Sequence, residues 1–272
     1  MRLVALALLV ASAASPQPPA AAGRTAQVAR GDQAFALRGD PARLAEAIEA
    51  WTAAAAAPSG PDDPAIELKL ARAEAFRALS DPGSAREAWP ASSRAAERAL
   101  RRLSPAWSAA VEAGDLVSAP ARVGPEGAEA LYWLALATWS SAREKGLAAL
   151  LFVKDPALAA MERAAALDAA IDCGGPERSL GAWAAALPTA VGGGVARSRS
   201  HLARARELGP GCWLNAVAEA GSLLVLLQDR AAFDRALAGV EAAGEGDPRY
   251  APENEVARRM ARELRAQAPR LF

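Results

Sequence analysis

The sequence is poor in the residues on which most catalytic and metal sites depend. Among its 272 residues there is one histidine, His201, and there are two cysteines, Cys173 and Cys212. A zinc site needs three or four histidine, cysteine or carboxylate ligands close together, and a nucleophilic triad needs the flanking sequence that places its nucleophile. Neither pattern is present, so the sequence predicts no metal, no cofactor and no catalytic residue. We expect His201 to make a hydrogen bond at the surface or between helices.

Strand patterns, excess charge and long apolar runs are scarce as well. The 31 basic and 31 acidic residues cancel, which argues against a protein that follows a nucleic-acid backbone. No segment has the ~20 consecutive apolar residues that a membrane-spanning helix needs. Gly192-Gly193-Gly194 precedes a helical pattern, but no lysine follows at the spacing of a phosphate-binding loop. We therefore interpret these glycines as a turn.

The N-terminus has the features of an export signal. Arg2 precedes the short apolar run Leu3–Val10, and Ala11-Ser12-Ala13 fits a signal-peptidase site. We predict a signal peptide over residues 1–13 and a disordered Pro/Ala-rich tether over residues 14–25. Since no cysteine lies at the cleavage site, we expect a periplasmic protein that is neither a lipoprotein nor a transmembrane protein.

The rest of the chain carries apolar residues at helical spacing. Alanine is abundant, and turn clusters rich in glycine and proline divide residues 26–272 into helical segments. Four segments carry a large apolar residue followed three positions later by alanine, as second helices of tetratricopeptide units do: Trp51/Ala54, Met161/Ala164, Leu202/Ala205 and Phe233/Ala236. The pattern predicts a single all-α domain, a tetratricopeptide-like superhelix of about five degenerate helical hairpins. A capping helix over Glu253–Ala268 is expected to cover its end.

The two cysteines lie one repeat apart, each in the turn after a predicted second helix. An oxidising compartment permits a disulfide between them. Equivalent positions of stacked repeats are expected to lie farther apart than the ~4.4–6.8 Å between Cα atoms that a disulfide needs. The sequence leaves the question open and favours two buried thiols over a bridge.

Aromatic residues form 5% of the chain and concentrate in the predicted first helices, which line the concave side of such a superhelix. Stripes of this kind usually pack between hairpins, but they can also line an apolar cleft that receives a ligand or partner. Both interpretations stay open. Under the second, the candidate binding residues are Tyr132, Trp133, Trp139 and Trp183.

An ordered succession of motifs in the second half of the chain resembles a known family. The motifs are Tyr132-Trp133-Leu134-Ala135, Met161-Glu162-Arg163-Ala164, Gly174-Gly175-Pro176, Leu180-Gly181, Pro188, Gly193-Gly194, His201-Leu202 with Ala205 and Leu208, Val217-Ala218-Glu219, Gln228-Asp229-Arg230 with Phe233, and Leu271-Phe272. In this order they resemble the tetratricopeptide component of TRAP transporters, the TatT family. The resemblance extends from about Ala128 to the C-terminus.

The resemblance implies a non-enzymatic periplasmic protein that associates with the extracytoplasmic solute-binding protein of a TRAP transporter. It also implies a homo-trimer and a pore or cleft suited to a hydrophobic small molecule. Many relatives are lipoproteins, and this chain departs from them because its cleavage site lacks a cysteine. The alternative is a generic tetratricopeptide scaffold that grips an extended peptide or another protein of the cell envelope.

Overall fold

The computed structural model describes residues 20–57, 63–244 and 246–272, and within these ranges it is helical, with no strand. Its α-helices are α1 (Ala20–Ala36), α2 (Pro41–Ala56), α3 (Pro64–Ser80), α4 (Ala85–Leu103), α5 (Pro105–Glu112), α6 (Ala128–Lys145), α7 (Leu147–Leu167), α8 (Ile171–Ala186), α9 (Val195–Leu208), α10 (Leu214–Glu219), α11 (Arg230–Ala242) and α12 (Ala251–Leu271). The predicted signal peptide lies outside the described residues. Residues 14–19 of the predicted tether also lie outside the described residues, and residues 20–25 belong to α1.

Consecutive helices pack in pairs. The pairs are α1–α2, α3–α4, α6–α7, α8–α9 and α10–α11. In the last pair, α10 continues into a π-helical segment, Ala220–Leu224, which precedes α11. The short α5 belongs to the insertion between the second and third pairs, and α12 follows the last pair. The predicted all-α superhelix of about five hairpins with a C-terminal helix is therefore confirmed.

Local capping explains why the turn clusters separate the helices where they do. The side chain of Asp40 accepts a hydrogen bond from the backbone N–H of Ala42, and Asp63 does the same for Ala65. Each aspartate is followed by a proline at the first helical position, where the missing N–H is not needed. The sequence thus fixes the starts of α2 and α3 through side chains that satisfy otherwise free backbone groups.

The core is built largely from alanine, which lets helices approach closely, with larger residues filling the spaces. The large members of the four predicted pairs, Trp51, Met161, Leu202 and Phe233, are all buried, as are three of their alanine partners. The fourth partner, Ala236, is half-buried, and Leu237 takes the fully buried position beside it. The spacing therefore identified the inward face of the second helices.

Two glycines of the Gly-Gly-Pro and Leu-Gly motifs lie where helices touch. A Cβ atom at Gly175 would be 2.4 Å from the hydroxyl oxygen of Tyr132, and one at Gly181 would be 2.6 Å from Cγ of Leu202. Real Cβ atoms do not approach other atoms so closely. These glycines thus allow α8 to pack against α6 and α9 without displacing either helix.

Cys173 and Cys212 form a disulfide, with their Cα atoms 6.2 Å apart. The preference for two free thiols is therefore wrong. Its premise was a regular stack of repeats, but the backbone from Asp172 to Gly174 is left-handed, with φ between 49° and 84°. This turn brings Cys173 against the loop after α9, where Gly209 packs on the carbonyl group of Cys173.

The last helix contacts the first two hairpins as well as the fifth. Nε and Nη2 of Arg38, in the turn between α1 and α2, donate to Oε1 and Oε2 of Glu253 in α12, at 2.9 and 2.6 Å. Both side chains are buried, at 8% and 7% exposure. The guanidinium group of Arg259, also in α12, donates to the carbonyl oxygens of Leu79 and Ser80 at the end of α3. The capping helix therefore joins the two ends of the superhelix.

Candidate functional site

The four aromatic residues predicted as a binding surface are buried between helices. Tyr132, Trp133 and Trp139 belong to α6 and Trp183 to α8, and all four lie in the main hydrophobic core. The rings of Trp139 and Trp183 are stacked, with centroids 4.1 Å apart and planes at 11°. In this conformation the four rings do not form an open surface. Of the two interpretations left open by the sequence, interhelix packing describes their position.

Tyr132 takes part in a buried polar network at the junction of three hairpins. Its hydroxyl group donates to Oδ2 of Asp172 at 2.7 Å, and Nη2 of Arg178 donates to the same oxygen at 2.6 Å. Nη1 of Arg178 donates to Oδ1 of Asn215 at 3.0 Å. Burial, followed by the charge of Asp172, raises the pKa of Tyr132 well above its usual value. The network holds the left-handed turn, so we assign the Gly-Gly-Pro region a structural role.

The single histidine makes the interhelix contact expected for it. Nδ1 of His201 on α9 lies 2.6 Å from Oε2 of Glu177 on α8, and both side chains are partly buried. Within residues 20–57, 63–244 and 246–272, no three histidine, cysteine, aspartate or glutamate side chains are grouped closely enough to hold a metal ion.

The candidate functional site is a cleft of about 490 Å³ on the side formed by the first helices, between α1, α3 and the start of α6. Its apolar lining includes Phe35, Trp51 and Leu68. Its charged lining consists of Asp32, Lys69, Arg72 and Glu129. We call this region the first-helix cleft. Its size falls within the ~300–1,000 Å³ range of small-molecule sites, which typically combine an apolar lining with a few polar groups.

Two aromatic rings pack together at the first-helix cleft, with Phe35 partly exposed and Trp51 buried. The rings of Phe35 and Trp51 have centroids 5.3 Å apart and planes at 48°, a tilted arrangement that aromatic pairs favour. Nε1 of Trp51 donates to Oδ1 of Asp32 at 3.2 Å, which fixes the orientation of the indole. The buried indole thus supports Phe35 in a fixed position, and Phe35 and Leu68 form the partly exposed apolar floor of the cleft.

The two basic residues of the cleft differ in their pairing. Nζ of Lys69 forms an ion pair with Asp32 and lies 5.4 Å from the centroid of the Trp51 ring. Arg72 lies over Phe35, with Cζ 5.2 Å from the ring centroid. Among the residues that the structure describes, none accepts a hydrogen bond from the Arg72 guanidinium group. The cleft therefore combines an aromatic floor with one cation whose donors are available to a ligand.

One of the predicted residues supports this cleft from behind. Nε1 of Trp133 donates to Oε1 of Glu129 at 3.0 Å, one helical turn away on α6, and Glu129 lines the cleft. Sequence reasoning missed the cleft itself. Trp51 was recognised as the large residue of its second helix, but spacing along the chain could not show that Phe35 and Arg72 face it.

A comparison with protein families shows where the chain belongs. Across the described part of the chain, no helix has both the length and the apolar character needed to cross a membrane. No curated protein matches the chain significantly. A family model, the TRAP transporter T-component, matches residues 69–272, which is more than half of the chain. This match confirms the resemblance read from the motifs, and the chain belongs to the TRAP transporter T-component family.

Proposed function

We propose that this chain is a non-enzymatic periplasmic accessory protein of a TRAP-type solute uptake system. In this role it binds the extracytoplasmic solute-binding protein that delivers the solute to the membrane subunits. Family membership supports the association with a TRAP system. The N-terminal signal pattern supports export.

The first-helix cleft is the observation that carries the ligand part of the proposal. A small molecule with an apolar body would bury that body against the partly exposed side chains of Phe35 and Leu68, which lie next to the buried Trp51. Burial of apolar surface contributes about 25 cal/mol per Å², so contact with these side chains supports binding without any covalent chemistry. A hydrogen-bond acceptor on the ligand, such as a carboxylate, would meet the available donors of Arg72.

The four aromatic residues first predicted as the binding surface enter this proposal as support for the cleft. Trp133 positions Glu129 through its indole hydrogen bond. Tyr132, Trp139 and Trp183 hold α6 against α8, so they keep the α6 wall of the cleft in place. We propose that they affect ligand binding through this packing rather than by touching the ligand.

Three measurements test the proposal. Isothermal titration of the mature chain with the solute-binding protein from the same host should give saturable one-to-one binding per chain. Mass spectrometry of the protein purified from its host under native conditions should detect a co-purified small molecule. Light scattering on the same sample measures the predicted homo-trimer.

Variants separate ligand binding from partner binding. Leu68→Asp and Arg72→Gln should deplete the co-purified molecule, because the first puts a charge in the apolar floor and the second removes the free donors. Arg235→Gln, an exposed position on α11, is the matched control. If the solute-binding protein does not bind and instead an extended peptide or another envelope protein does, the chain is a general scaffold and the proposal fails.

A further inference from the structure

The strongest feature outside the first-helix cleft is the junction between α6 and α7. Leu147, Leu151 and Phe152 are 70%, 53% and 84% exposed. Leu147 and Leu151 are four residues apart, so they lie on the same face of α7, and Phe152 adjoins Leu151. Large apolar side chains this exposed are common singly, but a contiguous group marks an interaction site. We call residues 143–153 the α6–α7 corner.

Basic side chains lie near this apolar group, and one of them, Arg94, also interacts electrostatically with Glu74 on α3. Arg143 and Lys145 precede it at the end of α6, and Arg94 lies close by on α4. All three are exposed, and none forms an ion pair or hydrogen bond with a residue that the structure describes. The corner contains one carboxylate, Glu144. Asp155 follows just after the corner and forms an ion pair with Lys154.

A groove of about 420 Å³ connects the basic and apolar groups. Its lining includes the apolar side chains of Phe152 and Val153 and the basic side chains of Arg94 and Lys145. The hydroxyl groups of Ser93, Thr138 and Ser141 also line the groove, and those of Ser93 and Thr138 lie within hydrogen-bond distance of each other, at 3.2 Å. Cations and hydroxyl donors beside an apolar surface suit a ligand with an anionic phosphate head and an apolar tail.

We propose that the α6–α7 corner docks on the surface of an anionic phospholipid bilayer. Leu147, Leu151 and Phe152 enter the boundary between headgroups and acyl chains, while Arg94 and Lys145 bind lipid phosphates. A helix end that combines Leu and Phe with flanking cations has the composition of segments that lie in this boundary. The apolar side chains project outward, which suits a fluid layer because such a layer needs no matching recess.

The inference goes beyond the proposed function because it assigns the α6–α7 corner a contact with the membrane surface. Three apolar side chains with two or three cations give weak, reversible attachment, since stable anchoring takes additional signals. The electrostatic part is screened by salt. Binding should therefore depend on anionic lipid and weaken as the salt concentration rises.

Vesicle sedimentation tests the inference with the mature chain from Ala14, the form that signal cleavage is expected to leave. We expect binding to vesicles of phosphatidylethanolamine and phosphatidylglycerol, and much weaker binding to vesicles of phosphatidylcholine alone. The double variant Leu151→Ser with Phe152→Ser should reduce binding by about tenfold or more. Arg94→Gln with Lys145→Gln should reduce the difference between the two kinds of vesicle, with Arg143 still present.

Leu116→Ser is the matched control, since Leu116 is 45% exposed at a position outside the corner, and it should bind like the parent. All substituted side chains are exposed, so each variant should keep the melting temperature of the parent. Unchanged binding of the Leu151/Phe152 variant, or no vesicle binding by the parent, would overturn the inference. The inference would also be overturned if substitutions at the corner reduced self-association, or binding of the purified solute-binding protein, and left vesicle binding unchanged.

Discussion

At the residue scale, Gly175 shows how a motif can reflect packing rather than chemistry. Replacing it with alanine would place Cβ 2.4 Å from the Tyr132 hydroxyl oxygen, so α6 or α8 must shift. We expect a loss of about 1–3 kcal/mol in the free energy of unfolding, the usual cost of overpacking a core. Thermal and denaturant unfolding measure it. Gly239→Ala is the control, because no atom lies within 4 Å of its added Cβ in α11, and it should stabilise by up to about 1 kcal/mol.

Ionisation of Tyr132 should reduce the stability of the folded protein at alkaline pH. Burial and the nearby Asp172 carboxylate raise its pKa in the folded state, whereas an unfolded tyrosine titrates near pH 10. Its contribution to stability is therefore fully present below about pH 10 and is lost as pH rises toward the folded pKa. Unfolding in denaturant at a series of alkaline pH values should show this decline.

Tyr132→Phe supplies the comparison for that decline. The variant loses the hydrogen bond to Asp172, so it should be less stable than the parent near neutral pH by about 1–3 kcal/mol. Its stability should fall less steeply above about pH 10, because phenylalanine has no proton to release. Parallel alkaline slopes for parent and variant would show that ionisation of Tyr132 does not cause the decline.

At the element scale, the hairpins were predictable because their signals are local. Aspartate caps and prolines start helices such as α2 and α3, and the spacing of large apolar residues and alanine marks their inward faces. The bridge between Cys173 and Cys212 was not predictable in this way. It depends on the left-handed turn at Asp172, which no regular repeat contains, so an argument from equivalent repeat positions placed the two cysteines too far apart.

The disulfide should stabilise the junction between α8–α9 and α10. It closes a loop of 39 residues, and the loss of loop entropy in the unfolded chain corresponds to about 4 kcal/mol. Cys173→Ser with Cys212→Ser should lose stability of this order in denaturant unfolding. The parent in a thiol reductant should lose a similar amount, whereas the double variant should not respond to the reductant. A double variant as stable as the oxidised parent would contradict this role.

The first-helix cleft marks the limit of sequence reasoning for function. Phe35, Trp51 and Arg72 come from three helices, and no pattern within any one of them shows that they share a cleft. The concentration of aromatic residues in α6 led instead to the predicted binding surface, yet those rings are buried. Trp133 links these rings to the cleft directly, through its hydrogen bond to Glu129. Periodicity reports which face of a helix is apolar, and it does not report whether another helix covers that face.

At the scale of the whole molecule, α12 links the ends of the superhelix beside the cleft. Nη1 of Arg38 donates to the carbonyl oxygen of Phe35 at 3.3 Å, and its guanidinium group lies 4.9 Å from the centroid of the Phe35 ring. The same guanidinium group also donates a hydrogen bond to Glu253 of α12. Phe35, which lines the cleft, is therefore also held by Arg38. Breaking the Arg38–Glu253 contact should change the shape of the cleft.

A double-mutant cycle tests the closing contact. Arg38→Met or Glu253→Met alone should cost about 3–5 kcal/mol, because each leaves an unpaired charge in a buried position. The double variant should cost less than the sum, and less than either single variant, since it leaves no buried charge. Hydrogen exchange should show lost protection in both α2 and α12 for the single variants, although these helices are distant in sequence.

The exposed pair Arg204–Glu207, with side chains 54% and 66% exposed, is the control for that cycle. Its removal should cost less than about 1 kcal/mol because water already solvates both charges. The two ends unfold independently if the effects of Arg38→Met and Glu253→Met are additive, or if protection from hydrogen exchange is lost only next to the substituted residue. Each hairpin would then depend on its neighbours alone, as in an open solenoid. Coupled loss at both ends would instead mean that this chain closes its superhelix and keeps the first-helix cleft rigid by doing so.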